Sequence, residues 1–296
     1  MTASDANAPW TIAAVLKWAT DDFRARGIEN PRLDAEVLLA RALGATRTQL
    51  VIEMMKPLAP EELARFREMV KRRRAREPVA YILGEREFYG RTFRVDARVL
   101  IPRPDTETLV EVALARTREL SMSARVLDLC TGSGCVAITL ARERPTTSVI
   151  GSDASEDALA VARENALRLG AYNVAFVRSD LYGDLPRALG SRARFDAITA
   201  NPPYIASGEI ASLSADIARF EPRIALDGGE SGLAIAERIV TGARDFLEPN
   251  GVLAMEIGAG QSDRVALLFE RSGFVDVERA RDYARIERVI SGRRSA

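Results

Sequence analysis

From residue 105 onward, short apolar segments alternate with helical segments, and this alternation limits the possible folds more than any other feature. The apolar segments cover residues 124–129, 148–153, 174–180, 195–200 and 251–257. Helical patterns lie near residues 106–119, 135–143, 156–169 and 232–247. Largely apolar strands separated by helices are typical of an α/β fold in which helices cover a mostly parallel sheet. Such a sheet binds ligands at the carboxyl ends of its strands.

The chain before this region has a different pattern. Residues 1–85 carry only helical periodicity, and prolines at helix starts and glycines at helix ends mark its limits, namely Gly27, Pro31, Gly44 and Pro60. Residues 86–101 alternate aromatic or β-branched residues with polar ones around Gly90, which predicts a β-hairpin. We therefore expect a helical domain (1–85), a β-hairpin linker (86–104) and an α/β domain (105–296).

Composition excludes several kinds of site. The chain has no histidine, so histidine-based triads, His-ligated zinc and imidazole acid/base chemistry are absent, and we expect no metal site. Equal numbers of basic and acidic residues, 42 each, argue against coating of nucleic acid or an anionic membrane. The basic run Lys71–Arg76 is interpreted as the last turn of a helix, with a phosphate-binding patch as the alternative.

The expected compartment follows from cysteine content and the missing apolar runs. Cys130 and Cys135 are too few for a disulfide framework, so both are interpreted as packing residues of a protein in a reducing compartment. The N-terminus shows no leader pattern, and no apolar run approaches the length of a membrane span. We expect a cytoplasmic protein.

A glycine loop follows the strand at residues 124–129. Asp128 lies near the strand end, and the next residues are Cys130, Thr131, Gly132, Ser133 and Gly134. Glycines let the backbone approach a ligand closely, and the amides of the following helix face that ligand. The spacing also fits a dinucleotide fingerprint with Asp153 as the ribose acid, so a nicotinamide dehydrogenase is one alternative. A carboxylate at Asp128 would repel phosphates but could receive an ammonium group, which favours a nucleoside without pyrophosphate.

A second motif follows the strand at residues 195–200. It reads Asn201, Pro202, Pro203 and Tyr204. The two prolines stiffen the loop and restrict Asn201. An amide oxygen of Asn201 and a main-chain carbonyl could accept both hydrogens of a planar NH2 group, while Tyr204 packs on its plane. The pair of motifs predicts an enzyme that acts on a planar amino or amide nitrogen.

Six segments resemble the release factor glutamine methyltransferase family in order along nearly the whole chain. They read REPVAYILGEREFYGRTFRV, VLIPRPDTETLVE, DLCTGSGCVAI, NPPYI, RFEPRIALDGGESGL and RDYARIERVI. The resemblance implies a class I, Rossmann-like methyltransferase with a seven-stranded sheet, a small N-terminal helical domain and a hairpin linker. It also implies the cofactor S-adenosyl-L-methionine. Its members methylate N5 of the glutamine in the Gly-Gly-Gln motif of bacterial class I peptide chain release factors, which would be the protein partners here.

The resemblance also assigns residues. Cofactor contacts fall on the loop from Cys130 to Gly134, on Asp153 for the ribose, and on Asp180 with Leu181 around the adenine. Asn201 would contact both cofactor and substrate, and the residues from Asn201 to Tyr204 would form the glutamine site, with Asn201, Pro202 and Tyr204 as the catalytic residues.

Two points of the resemblance leave questions. The family usually has glycine where this chain has Cys130, so we expect an ordinary φ/ψ region there and a slightly narrower methionine end of the site. Arg103 and Glu107 belong to a matching segment, but chemistry assigns them no role.

Other functions stay open at this point. An adenine-N6 DNA methyltransferase would act on the same kind of planar donor, although zero net charge and the lack of a base-reading domain speak against it and against direct nucleic-acid binding. A binding module that contacts RNA through Lys71–Arg76 is the alternative outside enzymes. We expect residues 1–85 to dock the protein substrate, and we expect no membrane partner.

Overall fold

The computed structural model describes residues 10–119, 123–190 and 193–295, and these form two compact units, Met1–Gly84 and Glu85–Ala296. The expectation that the chain carries no leader falls on residues 1–9, which lie outside the described residues. No helix in the described ranges is long and apolar enough to cross a membrane.

Residues 10–84, the described part of the first unit, contain five helices. They are α1 (Ile12–Ala25), α2 (Pro31–Leu43), α3 (Arg47–Ile52), α4 (Pro60–Arg74) and α5 (Val79–Leu83). Pro31 and Pro60 begin α2 and α4 as expected, and Gly44 ends α2 in the left-handed region with φ of 62°. Phe23, Leu38 and Phe66 are fully buried in its core. The described part of the first unit thus has helices and no strand, as its sequence pattern predicts.

The basic run in this unit is engaged in ion pairs. Arg73 donates to Asp34 at 2.7 Å, and Arg74 contacts Asp22 at 2.6 Å. Arg72 pairs with Glu77 at 2.5 Å. Three arginines of the run therefore neutralise acids of the same unit, which favours the structural interpretation of this segment over a phosphate-binding patch.

The second unit begins with a hairpin. Strands β1 (Glu85–Phe88) and β2 (Arg91–Arg94) are joined by Tyr89 and Gly90, which have φ of 50° and 68°. Positive φ at both turn residues matches the right-handed twist of the flanking strands. The strands are shorter than the predicted segment, because residues 95–101 form no strand. By its contacts the hairpin is part of the second unit, where Phe88 and Phe93 join the apolar core.

The predicted mostly parallel sheet is confirmed and has seven strands. The strands are β3 (Arg125–Leu129), β4 (Ser148–Asp153), β5 (Val174–Arg178), β6 (Phe195–Ala200), β7 (Leu247–Glu256), β8 (Phe274–Arg281) and β9 (Glu287–Arg294). The helices are α6 (Glu107–Arg116), α7 (Cys135–Glu143), α8 (Glu156–Arg168), α9 (Leu185–Leu189), α10 (Ala215–Phe220), α11 (Ala234–Phe246) and α12 (Ser262–Arg271). The strand order is β5-β4-β3-β6-β7-β9-β8, and only β8 and β9 introduce antiparallel pairs.

The sheet is buried on both faces, which explains its apolar strands. Leu127 and Leu129 of β3 join one core with residues of α11 and α12. Val126, one residue along, joins the opposite core with residues of α6, α7 and the hairpin. Alternate side chains of a strand point to opposite faces, so a strand between two helix layers needs apolar residues at consecutive positions.

The strand register places the two sequence motifs side by side. Leu129 of β3 pairs with Ala200 of β6, so Cys130 and Asn201 begin adjacent loops at the same edge of the sheet. The chain turns from β3 towards β4 on one side and returns to β6 on the other, which makes this edge the point where strand order reverses. Ligands of open α/β sheets bind at this point.

Candidate functional site

A cavity of about 710 Å³ opens at the carboxyl ends of β3, β4 and β6. Its size lies within the range of small-molecule sites, ~300–1,000 Å³. Ten of the predicted site residues line it: Asp128, Cys130, Thr131, Gly132, Ser133, Asp153, Asp180, Leu181, Asn201 and Pro203. Gly134, Pro202 and Tyr204 do not line this cavity. The structure thus brings the glycine loop, the two acids after β4 and β5, and Asn201 to one concave site.

The two glycines of the loop have different functions in the fold. Gly132 has φ of 54°, and a Cβ added there would meet no atom within 4 Å. Gly134 has φ of 80°, and its added Cβ would lie 2.8 Å from Cδ1 of Ile138 and 3.1 Å from Cβ of Ala162. Gly132 therefore leaves open space beside the backbone, whereas Gly134 lets α7 pack closely against α8.

The expectation for Cys130 was wrong. Its φ is 55°, in the left-handed region rather than in an ordinary one. A Cβ is disfavoured there by roughly 1–2 kcal/mol, which is why glycine suits this position. The Cys130 side chain lines the cavity, and burial raises the pKa of its thiol well above the usual value, so it stays protonated. Burial also raises the pKa of Cys135 to about 12. Both thiols fit the packing interpretation.

Asp128 links the glycine loop to the neighbouring strand. Thr131 Oγ1 donates to its Oδ2 at 2.6 Å, and Thr199 Oγ1 donates to its Oδ1 at 2.7 Å. The residue is only 1% exposed, and burial raises its pKa to about 6. Each oxygen already accepts one hydroxyl. The contacts that the structure shows are therefore structural, and the role as ammonium receptor remains a proposal.

Asp153 holds the loop from the side of β4. Its Oδ2 accepts from Gly132 N at 2.9 Å, and its Oδ1 accepts from Ser155 N at 2.9 Å at the start of α8. Burial raises its pKa. A carboxylate has about four lone-pair sites, so both oxygens keep acceptor capacity towards the cavity that Asp153 lines. The residue thus holds Ser155, the N-cap of α8, and faces the site.

Asp180 and Leu181 form the wall beyond β5. Asp180 is exposed, and Arg238 Nη2 donates to its Oδ2 at 2.9 Å. Leu181 is buried and has φ of 51°, a left-handed conformation that places it in the cavity wall. An apolar side chain beside a carboxylate suits a flat heterocycle that carries an amino group.

The side-chain amide of Asn201 is held by a hydrogen bond to Thr106. Its Nδ2 donates to Thr106 Oγ1 at 3.2 Å, and Asn201 is half-buried. Thr106 lines the same cavity and is 2% exposed. An Asn side chain has one carbonyl oxygen and one NH2 group. With Nδ2 turned to Thr106, Oδ1 is the atom available to accept from a ligand.

The chain after Asn201 is held by a glycine-rich segment before α11, residues 226–233, which contains Gly228, Gly229 and Gly232. Ile205 N donates to Leu226 O at 3.0 Å, and Gly228 N donates back to Ile205 O at 2.8 Å. Gln261 Nε2 donates to Tyr204 O at 2.9 Å. Burial raises the pKa of Tyr204 to about 12, so its hydroxyl is neutral. These contacts hold the backbone at Tyr204 and Ile205 from two segments of the chain.

Sequence reasoning missed the outer wall of the cavity. Arg103 pairs with the buried carboxylate of Glu221, which also accepts from Ile101 N at 3.4 Å. This pair ties the segment before α6 to residues 222–225, and both segments line the cavity. Glu107 acts elsewhere, since it accepts from Tyr89 N of the hairpin turn at 2.8 Å. Both segments lie within the sequence motifs VLIPRPDTETLVE and RFEPRIALDGGESGL, and this resemblance was the one sequence signal for the wall.

The polar groups of the cavity fit a nucleoside with a short polar tail. Carboxylates at Asp153 and Asp180 can accept from hydroxyl and amino groups, and Leu181 offers an apolar surface. Ser133 Oγ is buried without a hydrogen-bond partner in the described part of the chain, although Ser133 lines the cavity. Within residues 10–119, 123–190 and 193–295, no cluster of three acidic or cysteine side chains could hold a metal ion.

Comparisons with known proteins identify related chains. Residues 14–84 match the model of the PrmC N-terminal domain, and residues 120–259 match a methyltransferase domain. A protein of Geobacter sulfurreducens named release factor glutamine methyltransferase is 45% identical over 96% of this chain and 97% of its own length. A protein of Salmonella typhimurium with the same name is 42% identical, covering 90% and 94%.

A solved structure supports the fold alone. A methyltransferase from Pyrococcus furiosus aligns with a TM-score of 0.51 at 16% identity, covering 78% of this chain and 98% of that one. At this identity the likeness concerns the helix-covered sheet, not the substrate.

Proposed function

Because the chain belongs to the release factor glutamine methyltransferase family, we propose that it methylates peptide chain release factors on a glutamine side chain. The methyl group of S-adenosyl-L-methionine is transferred to N5 of the glutamine in the Gly-Gly-Gln motif of bacterial class I release factors. The observation that carries the proposal is the position of Asn201, which lines one cavity together with the glycine loop.

The cofactor would be held by residues at the carboxyl ends of β3, β4 and β5. The loop from Cys130 to Gly134 would take the methionine part, Asp153 would accept from the ribose hydroxyls, and Asp180 with Leu181 would contact the adenine. When bound, S-adenosylmethionine supplies a methyl group on a positively charged sulfur, which is already electrophilic.

The chain's own contribution is alignment. Asn201 Oδ1 and the main-chain carbonyl of Pro202 accept the two hydrogens of the glutamine NH2 group, which directs the nitrogen towards the methyl carbon. Transfer from bound S-adenosylmethionine would form the N–C bond as the S–C bond breaks, and the nitrogen would then lose a proton to water. Both acceptors also stabilise positive charge that grows on the nitrogen during transfer. Tyr204 packs beside the amide plane.

The rival functions have less support. Adenine-N6 methylation would use the same acceptors, but no relative named above is a DNA enzyme. A nicotinamide dehydrogenase leaves Asn201 without a function. Since release factors act on ribosomes, we propose the cytoplasm as the compartment.

The decisive experiment is transfer of a labelled methyl group from S-adenosylmethionine to a purified class I release factor. We expect label on the wild-type release factor and none on a copy whose Gly-Gly-Gln glutamine is replaced by alanine. Label that persists after this replacement, or label on DNA alone, would contradict the proposal.

We expect Asp153→Asn to weaken S-adenosylmethionine binding. A hydrogen bond to a charged group contributes ~1.5–3 kcal/mol, or roughly 10- to 150-fold in Kd. Asparagine keeps an acceptor but loses the charge and one acceptor atom. Calorimetry with S-adenosylmethionine, S-adenosylhomocysteine and NAD measures the effect.

Asp157→Asn is the matched control. Asp157 is an exposed acid in the first turn of α8, the helix that follows Asp153, and it does not line the cavity. It should leave Kd unchanged. Equal losses in both variants would indicate a general charge effect, and tight NAD binding without S-adenosylmethionine binding would favour the dehydrogenase.

We also propose that residues 1–85 dock the protein substrate. A chain starting at Glu85, the first residue of the second unit, should bind S-adenosylmethionine normally but methylate intact release factor at least tenfold less efficiently, a loss of ~1.4 kcal/mol of contact energy. A short Gly-Gly-Gln peptide is the control substrate, since it is too small to need docking. Equal kcat/KM of the long and short chains on release factor would contradict this role, provided circular dichroism shows the short chain folded.

A further inference from the structure

Arg288 belongs to a sequence motif, RDYARIERVI, that the proposed mechanism does not use. It is the second residue of β9, and the residue after it, Val289, pairs with Glu256 at the end of β7. Because β9 is antiparallel to β7, its first residues lie at the sheet edge where the parallel strands β6 and β7 end. Arg288 therefore lies at the edge that carries Asn201, although it does not line the cavity.

The guanidinium group of Arg288 bridges two carboxylates. Its Nε donates to Asp282 Oδ2 at 3.0 Å, and its Nη2 lies 3.2 Å from Asp105 Oδ2. Asp282 is buried, and its Oδ1 accepts from Ile286 N at 2.9 Å in the turn between β8 and β9. Two nitrogens of one planar, rigid group thus fix Asp105 relative to this turn.

Asp105 directly precedes the threonine that holds the Asn201 amide. It is the central residue of the 3₁₀ turn Pro104–Thr106. Thr106 is buried, and its Oγ1 accepts from Asn201 Nδ2 at 3.2 Å. A displacement of the turn therefore moves Thr106 and changes the direction in which Asn201 Oδ1 points.

We propose that Arg288 is a positioning residue for methyl transfer. Through Asp105 it holds the turn Pro104–Thr106, and through Thr106 the turn keeps Asn201 Oδ1 directed at the substrate. The inference rests on the proposed function, because Oδ1 is the atom that accepts from the glutamine NH2 group.

The residues on either side of the turn have anchors of their own. Arg103 pairs with the buried carboxylate of Glu221, and Glu107 accepts from Tyr89 N at 2.8 Å. The side chain of Asp105 is 43% exposed, and an ion pair with so exposed a partner adds little to the free energy of unfolding. Loss of the pair should therefore displace the turn without unfolding it.

The first test measures kcat and cofactor affinity separately. Asp105→Ala should lower kcat roughly tenfold, since a misplacement of about 1 Å can cost 100-fold and the turn stays anchored at both ends. The Kd of S-adenosylmethionine and the melting temperature should change little. Arg288→Lys should show a similar loss, because one ammonium group keeps the buried Asp282 paired but cannot reproduce the two-nitrogen bridge.

Arg281→Lys is the matched control. Arg281 is an exposed residue of the same β8–β9 hairpin, and its Nη2 donates to Glu287 at 3.3 Å rather than to the turn Pro104–Thr106. The control variant should keep the wild-type kcat. Full kcat in Asp105→Ala, or an equal loss in Arg281→Lys, overturns the inference.

A second test asks whether the pair acts through Asn201. In an Asn201→Ala background, Asp105→Ala should lower the remaining kcat by less than about twofold, since no amide is left to position and the two losses are not additive. A merely structural role of Asp105 would instead add its full tenfold loss in both backgrounds. That result would also overturn the inference.

The side-chain amide of Asn201 gives a measurement that needs no substrate. Its NH2 signals in a ¹⁵N correlation spectrum can be assigned by their loss in Asn201→Ala. These signals should shift in Asp105→Ala and stay in place in Arg281→Lys, and unshifted signals in Asp105→Ala would contradict the inference. Failure of the wild-type enzyme to methylate release factor would contradict the proposed function, whereas the amide signals still decide whether Arg288 and Asp105 position Asn201.

Discussion

Asn201→Ala should lower kcat for release factor methylation by about 100- to 1,000-fold, which corresponds to ~2.7–4 kcal/mol for one preorganised hydrogen-bond partner in a transition state. The reason is geometric. Asn201 Oδ1 is the side-chain acceptor that aligns the glutamine nitrogen, and the alanine variant leaves only the Pro202 carbonyl. Single-turnover transfer of labelled methyl at saturating substrate measures this loss.

The same variant should keep the fold and much of the cofactor affinity. Asn201 makes one side-chain hydrogen bond of 3.2 Å to Thr106 and is half-buried, so its loss removes little packing. Thermal unfolding and the Kd of S-adenosylmethionine are the controls. A kcat within about threefold of wild type, less than ~0.7 kcal/mol, would refute alignment by Asn201.

The fold of the second unit could be predicted where the sequence pattern is strong. Strands β3, β4 and β6 are apolar at consecutive positions because helices cover both faces of the sheet, and their limits were predicted within one residue. The hydrophobic pattern of the sequence did not predict strand β8. It lies at the sheet edge and most of its side chains are exposed or half-buried, so its sequence, FVDVERAR, carries little apolar signal.

The site could be predicted only where the chemistry is local. The glycine loop and Asn201 are visible as short motifs at strand ends, and the register brings them together. The prediction for Cys130 was wrong because residue type alone does not reveal a left-handed conformation imposed by the loop. The contact of Arg103 with Glu221 joins residues 118 positions apart, so no local pattern shows it.

Gly232→Ala should lower kcat about 100-fold, although Gly232 does not line the cavity. A Cβ added there would lie 2.6 Å from Tyr204 O and 3.2 Å from Ala206 N. Both are backbone atoms, so no side-chain rotation can relieve the clash. The loop from Asn201 to Tyr204 must move, and a shift of about 1 Å in a positioning element can cost about 100-fold in rate.

Gly260→Ala separates this clash from backbone strain. Gly232 and Gly260 have φ of 71° and 81°, so a side chain is strained at either position. A Cβ at Gly260, however, would meet no atom within 4 Å. We expect Gly260→Ala to lose some thermal stability and to keep its kcat, whereas Gly232→Ala loses both. Comparable kcat values in the two variants would show that close packing of the glycine-rich segment against Tyr204 does not set the position of Asn201. A large loss in Gly232→Ala alone, with unchanged Kd for S-adenosylmethionine, would place the damage at the glutamine site rather than at the cofactor site.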